Sequence, residues 1–290
     1  MKTIKLFFAL LTVIGFTSCE DVIQVKLDKG DPMITIDAFV NDMRSQQKVR
    51  LTYSDDYFSQ KPNEPVKGAT VKIKDLTSGL EYTFTDNNDG NYVYNLATND
   101  TMARVGHNYE LTVTHQGLVF TSTTRMNRTA MVDSIISEYK EGGGLSGMDP
   151  GYDMSFLGFD IPGDTIDYYW IKSYRNGVFF NKGGDINICA DGAFGNGADG
   201  FPFIPPIAEG ITPFGERFQK NDVCRVEIHS INLETYNFLI QVQTQTTNSG
   251  LFATSPENIK TNIKNTTSGK VKVVGWFCMS AVGFKERLVE

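Results

Sequence analysis

Segments in which apolar and polar residues alternate follow one another along most of this chain, and they constrain its fold more than any other feature. Examples are MITIDAFV (33–40), KVRLTYS (48–54) and PVKGATVKIKDL (65–76). Because successive side chains of a β-strand point to opposite faces, such alternation places the apolar ones on a single face. The pattern predicts many short strands, and therefore a mostly β protein.

Three turn signals indicate where neighbouring strands form hairpins. They are NDG at 88–90, QG at 116–117 and NG at 176–177, and each lies between two β-rich segments. Glycine and asparagine tolerate the positive φ that tight hairpin turns need. The acidic segment DNNDG (86–90) also invites a calcium-loop interpretation. A hairpin turn is favoured, because Gly90 takes the fifth position of such a loop and no helical pattern flanks it.

The alternating segments divide the chain into two predicted parts. Residues 34–126, with regularly spaced short strands, indicate a β-sandwich domain. Residues 127–290 indicate a second β-rich domain with a single helix near 232–246, where Asn232 can cap a segment with helical spacing of apolar residues. The last alternating segment, 269–289, predicts a terminal strand or hairpin.

An irregular segment at 190–218 combines glycines, prolines and phenylalanines. Loops of this length are uncommon unless they are functional or disordered, and disordered segments are poor in aromatic residues, so this one is expected to pack on something. Aromatic rings on a proline-stiffened loop offer a large contact area at a low entropic cost. Our candidates for ligand or partner contact are Phe194, Phe201, Phe203 and Phe214, with Tyr57 and Phe58 as a second patch. The alternative is that these rings fold back into the core.

The N-terminus has the organisation of an export signal. Lys2 and Lys5 precede an apolar run at 6–16, and Thr17 and Ser18 lead directly to Cys19. This order resembles a bacterial lipoprotein signal of 18 residues, after which Cys19 carries diacylglycerol and an N-linked acyl chain such as palmitate. Residues 19–33 would then be a tether. The alternative is an ordinary secretory signal followed by a chance cysteine.

Charge and cysteine usage limit the classes of partner and site. The formal net charge is −7, so the chain lacks the basic excess that drives nucleic-acid binding. The cysteines at 189, 224 and 278 allow at most one internal disulfide, and three buried free thiols are the other interpretation. The histidines at 107, 115 and 229 are isolated and show no zinc-type spacing. We expect no metal and no cofactor.

Two segments near the C-terminus, DVCRVEIHSINLETYNFL (222–239) and ENIKTNIKNTTSGKVKVVGWF (257–277), carry a family resemblance. Together with Cys19-Glu20-Asp21-Val22 they resemble the Bacteroidota lipoproteins catalogued as domain of unknown function 4249. Trp276 stands where members usually have tyrosine. The resemblance implies an N-terminal sandwich similar to immunoglobulin-like or carboxypeptidase-regulatory-like domains, and it brings no catalytic residues.

The resemblance also implies a location and a role. Such lipoproteins are often accessory to a TonB-dependent β-barrel transporter of the outer membrane, with a part in nutrient capture or uptake. The acidic pair after Cys19 is similar to export signals of surface lipoproteins, so we expect the cell surface, with the periplasmic face as the alternative. A stand-alone adhesin or envelope scaffold that binds glycan or protein is the other functional hypothesis.

Three short motifs are similar to acceptor sites of the general O-glycosylation system of these bacteria. They are Asp100-Thr101-Met102, Asp133-Ser134-Ile135 and Asp164-Thr165-Ile166, which predict glycans on Thr101, Ser134 and Thr165. The sequence contains no Gly-x-Ser-x-Gly, His-Glu-x-x-His or phosphate-loop motif. We therefore expect no enzyme, and a glycan or peptide as the ligand.

Overall fold

Strand pairing in this protein builds two sheets and a two-stranded ribbon, as the computed structural model shows. The model describes residues 31–56, 59, 61–97, 101–143, 148–163, 165–190, 200–248, 259–267, 269 and 271–290. The mostly β fold class is confirmed, and one α-helix is present among these residues. No helix in these ranges has the length and apolar character that a membrane span requires.

The first sheet has nine strands. They are β1 (Ile34–Asn41), β2 (Gln47–Tyr53), β3 (Thr70–Asp75), β4 (Glu81–Asp86), β5 (Asn91–Tyr94), β6 (Asn108–His115), β7 (Leu118–Arg125), β14 (Lys264–Asn265) and β15 (Val273–Ser280). Their spatial order is β14-β7-β6-β3-β4-β5-β2-β1-β15. β4 pairs with β3 through its first residues and with β5 through Thr85 and Asp86, so it passes from one layer to the other. Alternate residues of both layers form one apolar core.

The three predicted hairpins are present. Gln116 and Gly117 have φ of 48° and 77°, and Asn176 and Gly177 have φ of 52° and 79°. Two consecutive residues with positive φ give the turn whose twist matches that of the flanking strands. In the third hairpin Gly90 has φ of 84° and lies so close to the backbone of Leu51 that a Cβ would clash with it.

The C-terminal part of the chain returns to the first sheet. β15 pairs in parallel with β1, with Ile34 opposite Val273 and Asn41 opposite Ser280. The boundary predicted at residue 126 falls between β7 and the next strand, and the division into two domains stays a prediction. The strand pairing shows that the first sheet draws strands from both sides of that boundary, within one compact unit from Pro32 to Glu290.

The second sheet and the ribbon enclose a second core. The sheet consists of β10 (Tyr168–Arg175), β11 (Val178–Phe179), β12 (Asn187–Ala190), β13 (Val223–Ile231) and β16 (Val282–Leu288). The ribbon consists of β8 (Met131–Lys140) and β9 (Gly151–Phe159). Apolar residues on the inner faces of the sheet and the ribbon form a cluster that is separate from the core of the first sheet. The sequence predicts a strand or a hairpin for the segment 269–289: strands β15 and β16 are present, but the hairpin is wrong, because β15 pairs with β1 whereas β16 pairs with β13.

The predicted helix is present as α1 (Leu233–Thr246). Asn232 caps it, since its Oδ1 accepts a hydrogen bond of 2.8 Å from the backbone N–H of Thr235. The buried side of the helix carries Thr235 and Leu239. It packs in a third apolar cluster that also contains Trp276 of β15 and Trp170 of β10, so α1 lies where the two sheets come together.

The described part of the irregular segment, 200–218, packs along β9 as expected. Backbone hydrogen bonds join Phe156 to Ala208 and Phe203 to Gly158. Ala208, Ile211 and Phe218 are buried in the second core. This segment therefore covers the edge of β9 that would otherwise have open backbone groups.

The three cysteines in the described residues, Cys189, Cys224 and Cys278, are buried, and no disulfide joins them. Burial raises the pKa of Cys224 to about 12. Of the two interpretations left open by the sequence, the structure supports buried thiols without an internal disulfide, which pack as small apolar residues.

Candidate functional site

A groove runs beside α1, and we call it the helix groove. It has a volume of about 830 Å³ and lies between the outer side of α1, strand β7 and the segment 259–264. Its helix wall carries Glu234, Asn237 and Gln241, which share one face because residues three and four apart are neighbours on a helix. The opposite wall carries Thr121 and Thr123 of β7, which point the same way because they are two residues apart on a strand.

The floor of the helix groove is an aromatic pair. The rings of Phe238 and Trp276 are stacked with their centroids 4.4 Å apart and 18° between their planes. The indole N–H of Trp276 donates a hydrogen bond of 2.9 Å to Thr235 Oγ1, which fixes the ring. The same two residues also border an apolar cavity of about 320 Å³ between β1, β10 and α1. The pair therefore separates the groove from this cavity.

The segment 259–264, which forms the third wall of the helix groove, also completes the outer edge of β15. Asn262 Nδ2 donates to the carbonyl of Phe277 at 2.8 Å, and Asn262 Oδ1 accepts from the N–H of Phe277 at 3.0 Å. Thr261 Oγ1 donates to the carbonyl of Gly275 at 2.7 Å. Two side chains thus replace a neighbouring strand. Gly275 is required beside them, because at φ of 109° a Cβ would overlap the Ile36 carbonyl oxygen.

The helix groove continues past Glu234 towards the start of α1. A second cavity of about 690 Å³ shares Thr123 and Glu234 with the groove and adds Arg125 and Asn108 to its lining. The two cavities together form an elongated depression. An elongated site of this kind suits a linear ligand of several linked units better than a compact ligand.

A buried charged network lies on the side of the second sheet that faces the first. Glu227 accepts hydrogen bonds from His229 Nε2 at 2.8 Å, from the hydroxyl of Tyr174 at 2.9 Å and from Arg225 Nε at 2.7 Å. Neither Glu227 nor His229 lines the helix groove. The paired acid and base are almost closed to solvent, and they fasten β13 to β10.

The electrostatics of this network follow from burial and pairing. Burial raises the pKa of Glu227, but the hydrogen bonds from His229, Tyr174 and Arg225 outweigh this effect and give a pKa of about 2. Burial, aided by the charge of Lys172, lowers the pKa of His229 to about 4. At neutral pH His229 is therefore a neutral donor to a charged carboxylate.

Lys172 belongs to the same face and lies against aromatic rings. Its Nζ is 3.9 Å from the ring centroid of Trp170 and 5.7 Å from that of Phe179, which is cation–π geometry. Burial lowers the pKa of Lys172 to about 8, against the opposing effect of the Glu227 charge. The sequence interpretation missed this network because it treated the histidines singly. The signal was the spacing of Glu227 and His229, two residues apart on one strand.

The predicted contact residues have different environments. Phe214 is 96% exposed and Phe201 is 58% exposed, as ligand or partner contacts would be. Phe203 instead packs against Phe156 and Tyr169, with centroid distances of 5.6 and 5.4 Å. The structure therefore places Phe203 against the second core, as the fold-back alternative expects. Contact of the two exposed rings with a ligand stays a prediction.

Four other predicted residues lie outside the described ranges. They are Cys19, Tyr57, Phe58 and Phe194. Lipidation at Cys19 and the aromatic patch at 57–58 stay predictions. Among the described residues, the two exposed phenylalanines, Phe201 and Phe214, do not line the helix groove.

An exposed apolar surface was not predicted from the sequence. Met131, Ile136, Leu157 and Phe159 are between 38% and 59% exposed, and we call them the ribbon face. Met131 lies opposite Phe159, and Ser134 lies opposite Leu157, so the register of β8 and β9 puts these side chains on the same side of the ribbon. The alternation of β8 contained this signal, but one strand alone does not show which face is covered.

The predicted glycosylation sites differ in access. Thr165 is exposed, whereas Thr101 and Ser134 are half-buried. Thr101 Oγ1 donates to the carbonyl of Ala103 at 2.9 Å, and Ser134 follows a register shift in β8. Modification at all three stays a prediction. In the part of the chain that the structure covers, no cluster of three or more His, Cys, Asp or Glu side chains could hold a metal ion.

Comparison with known proteins identifies a family. A family model described as "Domain of unknown function (DUF4249)" matches residues 20–286, which confirms the predicted family. No curated protein matches the chain. A crystal structure of the chicken CNTN1 FN1-FN3 domains is similar at 11% sequence identity and a TM-score of 0.22, over 72% of this chain and 65% of that one. The chain thus spans less than two thirds of the length of that structure.

Proposed function

The chain belongs to the DUF4249 family, and from this premise we propose that it is an outer-membrane lipoprotein and a non-catalytic accessory subunit of a TonB-dependent transporter. In this role it helps to capture or admit a nutrient. The observation that carries the docking part of the proposal is the ribbon face. Single exposed apolar residues are ordinary on a protein surface, whereas several on one face are typical of a protein–protein contact.

The proposed anchor is the lipid on Cys19. Each acyl-chain methylene buried in a bilayer contributes about 0.8 kcal/mol to the free energy of membrane binding, so three chains would hold the protein permanently. Residues 19–33 would link that anchor to β1, which begins at Ile34. Ligand capture would use the helix groove, which is open to solvent and lined by polar side chains.

The first experiment is a gentle detergent purification of the tagged full-length protein, followed by mass spectrometry of what co-elutes. We expect a stoichiometric outer-membrane β-barrel. Elution of the lipoprotein alone would contradict the proposal and would favour the stand-alone adhesin or scaffold. A Cys19→Ala variant should accumulate without lipid, and its normal retention in the outer membrane would contradict the anchor.

A matched pair of variants tests the ribbon face. Met131→Gln with Phe159→Gln replaces two directly opposed apolar side chains. We expect recovery of the barrel to fall at least about tenfold, because loss of a packed interface contact weakens binding by about 1.4 kcal/mol or more. Leu80→Gln with Val105→Gln changes two other exposed apolar residues and should leave recovery unchanged. Equal recovery with both pairs would show that docking uses another surface.

A further inference from the structure

The helix groove has a charge opposite to that of the whole protein. Lys260 and Lys264 line its main part and Arg125 lines its extension, against one acidic residue, Glu234. The chain as a whole has a formal net charge of −7. The structure shows no ion pair or side-chain hydrogen bond for these three cations among the residues it describes. A local excess of positive charge on an acidic protein favours an anionic ligand.

The neutral part of the lining offers hydrogen-bond donors and acceptors that no other described residue engages. Thr121, Thr123 and Asn237 line the groove, and in the described structure their side-chain polar atoms make no hydrogen bond. A hydroxyl group can donate and accept, and an amide offers both at fixed positions. These groups match a ligand that carries many hydroxyl groups.

The floor and the shape add two further constraints. Phe238 is partly exposed above the buried Trp276 and gives an apolar surface on which the C–H face of a ring can pack. The cavities of about 830 and 690 Å³ join at Thr123 and Glu234, so the site is long enough for several linked units. Neutral hydrogen-bonding groups, an apolar floor and three cations all occur in this one depression.

We propose that the helix groove binds an acidic oligosaccharide, a sugar chain that carries carboxylate or sulfate groups. Lys260, Lys264 and Arg125 contact the acidic groups, Thr121, Thr123 and Asn237 hydrogen-bond the hydroxyl groups, and Phe238 packs against a sugar ring. The inference rests on the proposed function only in one respect, namely that the bound oligosaccharide is passed to a transporter. Binding itself requires no transporter.

The test is calorimetric titration of the purified full-length protein in detergent. The probes are oligogalacturonate, the same oligomer with its carboxylates methyl-esterified, chondroitin sulfate oligosaccharide, and poly-glutamate of matched charge. We expect at least one acidic oligosaccharide to bind, and the esterified oligomer and poly-glutamate to bind at least about tenfold more weakly. Raising the salt concentration should weaken binding, because exposed charges are screened beyond about 8 Å at physiological ionic strength.

Two pairs of variants locate the site. Lys260→Gln with Lys264→Gln should weaken binding of the acidic oligosaccharide about tenfold, since each exposed charge contact contributes a factor of about two to five. Lys67→Gln with Lys220→Gln makes the same charge change at exposed positions outside the groove and should change affinity by less than about twofold. Asn237→Trp leaves every charge in place and should block binding by filling the groove.

Three results would overturn the inference. They are equal binding of the esterified oligomer, equal or tighter binding of poly-glutamate, and no binding of either acidic oligosaccharide. Equal loss of affinity in both lysine pairs would also do so, because the effect would then come from net charge. Purification of the barrel complex is a separate readout, so a transporter that co-elutes with a lipoprotein unable to bind acidic sugars would refute this inference and leave the proposed function standing.

Discussion

Replacing Asn262 by alanine should remove the side chain that completes the hydrogen bonding of β15 on its outer edge. The Asn262 amide donates to the Phe277 carbonyl at 2.8 Å and accepts from the Phe277 N–H at 3.0 Å, and Phe277 itself is fully buried. Each hydrogen bond contributes about 0.5–1.5 kcal/mol, and a buried backbone group left without a partner costs about 1–3 kcal/mol. Water reaches this edge in part, so we expect the free energy of unfolding to fall by about 2–3 kcal/mol.

The measurement is guanidinium unfolding of the full-length protein, followed by circular dichroism and extrapolated to zero denaturant. In a unit of this size the melting temperature should fall by roughly 2–4 °C per kcal/mol. Asn63→Ala, at an exposed loop position, is the control and should change stability by less than about 0.5 kcal/mol. A loss in Asn262→Ala no larger than in this control would refute the argument that this side chain acts as the missing strand.

Three further changes test other parts of the structure. Gly275→Ala should destabilise the protein by about 3 kcal/mol or more, because its Cβ would overlap the Ile36 carbonyl, whereas Gly184→Ala, with nothing within 4 Å of the added Cβ, should be nearly neutral in the same unfolding assay. The wild type should lose stability as pH falls from about 6.5 towards about 4, because His229 is neutral in the fold with a pKa of about 4 while unfolded histidine protonates near pH 6.5. His229→Gln should flatten that dependence, and an unchanged slope would contradict the assignment. The buried thiol of Cys224 should react with a maleimide only after unfolding, so rapid labelling of the native protein at this position would contradict its burial.

Local features of the fold were predictable because short-range preferences decide them. The turns at 116–117 and 176–177 have positive φ at both positions, and the sequence supplies Gln-Gly and Asn-Gly there, with glycine at the second position of each turn. The start of α1 follows from the capping side chain of Asn232. Alternation within a strand likewise shows which residues share a face, as in β1, whose apolar Ile34, Ile36 and Ala38 are all buried. None of these features depends on where the rest of the chain lies.

The partners of the strands were less predictable, because pairing joins segments that are far apart in the chain. β15 and β16 are separated by a single residue, yet β15 lies beside β1 and β16 beside β13. The sequence of this segment suits a hairpin equally well. β15 buries its apolar residues in the core of the first sheet, whereas β16 is largely exposed and is held by its backbone pairing with β13. The ribbon face depends in the same way on which side of β8 and β9 the second sheet covers.

The sequence by itself determined the mostly β class, the hairpin turns, the capped helix and the membership of a family through motifs at 222–239 and 257–277. The second of those motifs contains Asn262 and Trp276, but the sequence gave neither residue a role. Only the tertiary structure brought them together beside α1 and β7, and only there did three cations from two distant segments meet in one groove. The physical reason is range: backbone preferences and alternation act over a few residues, whereas a groove and its charge exist only after distant segments pack.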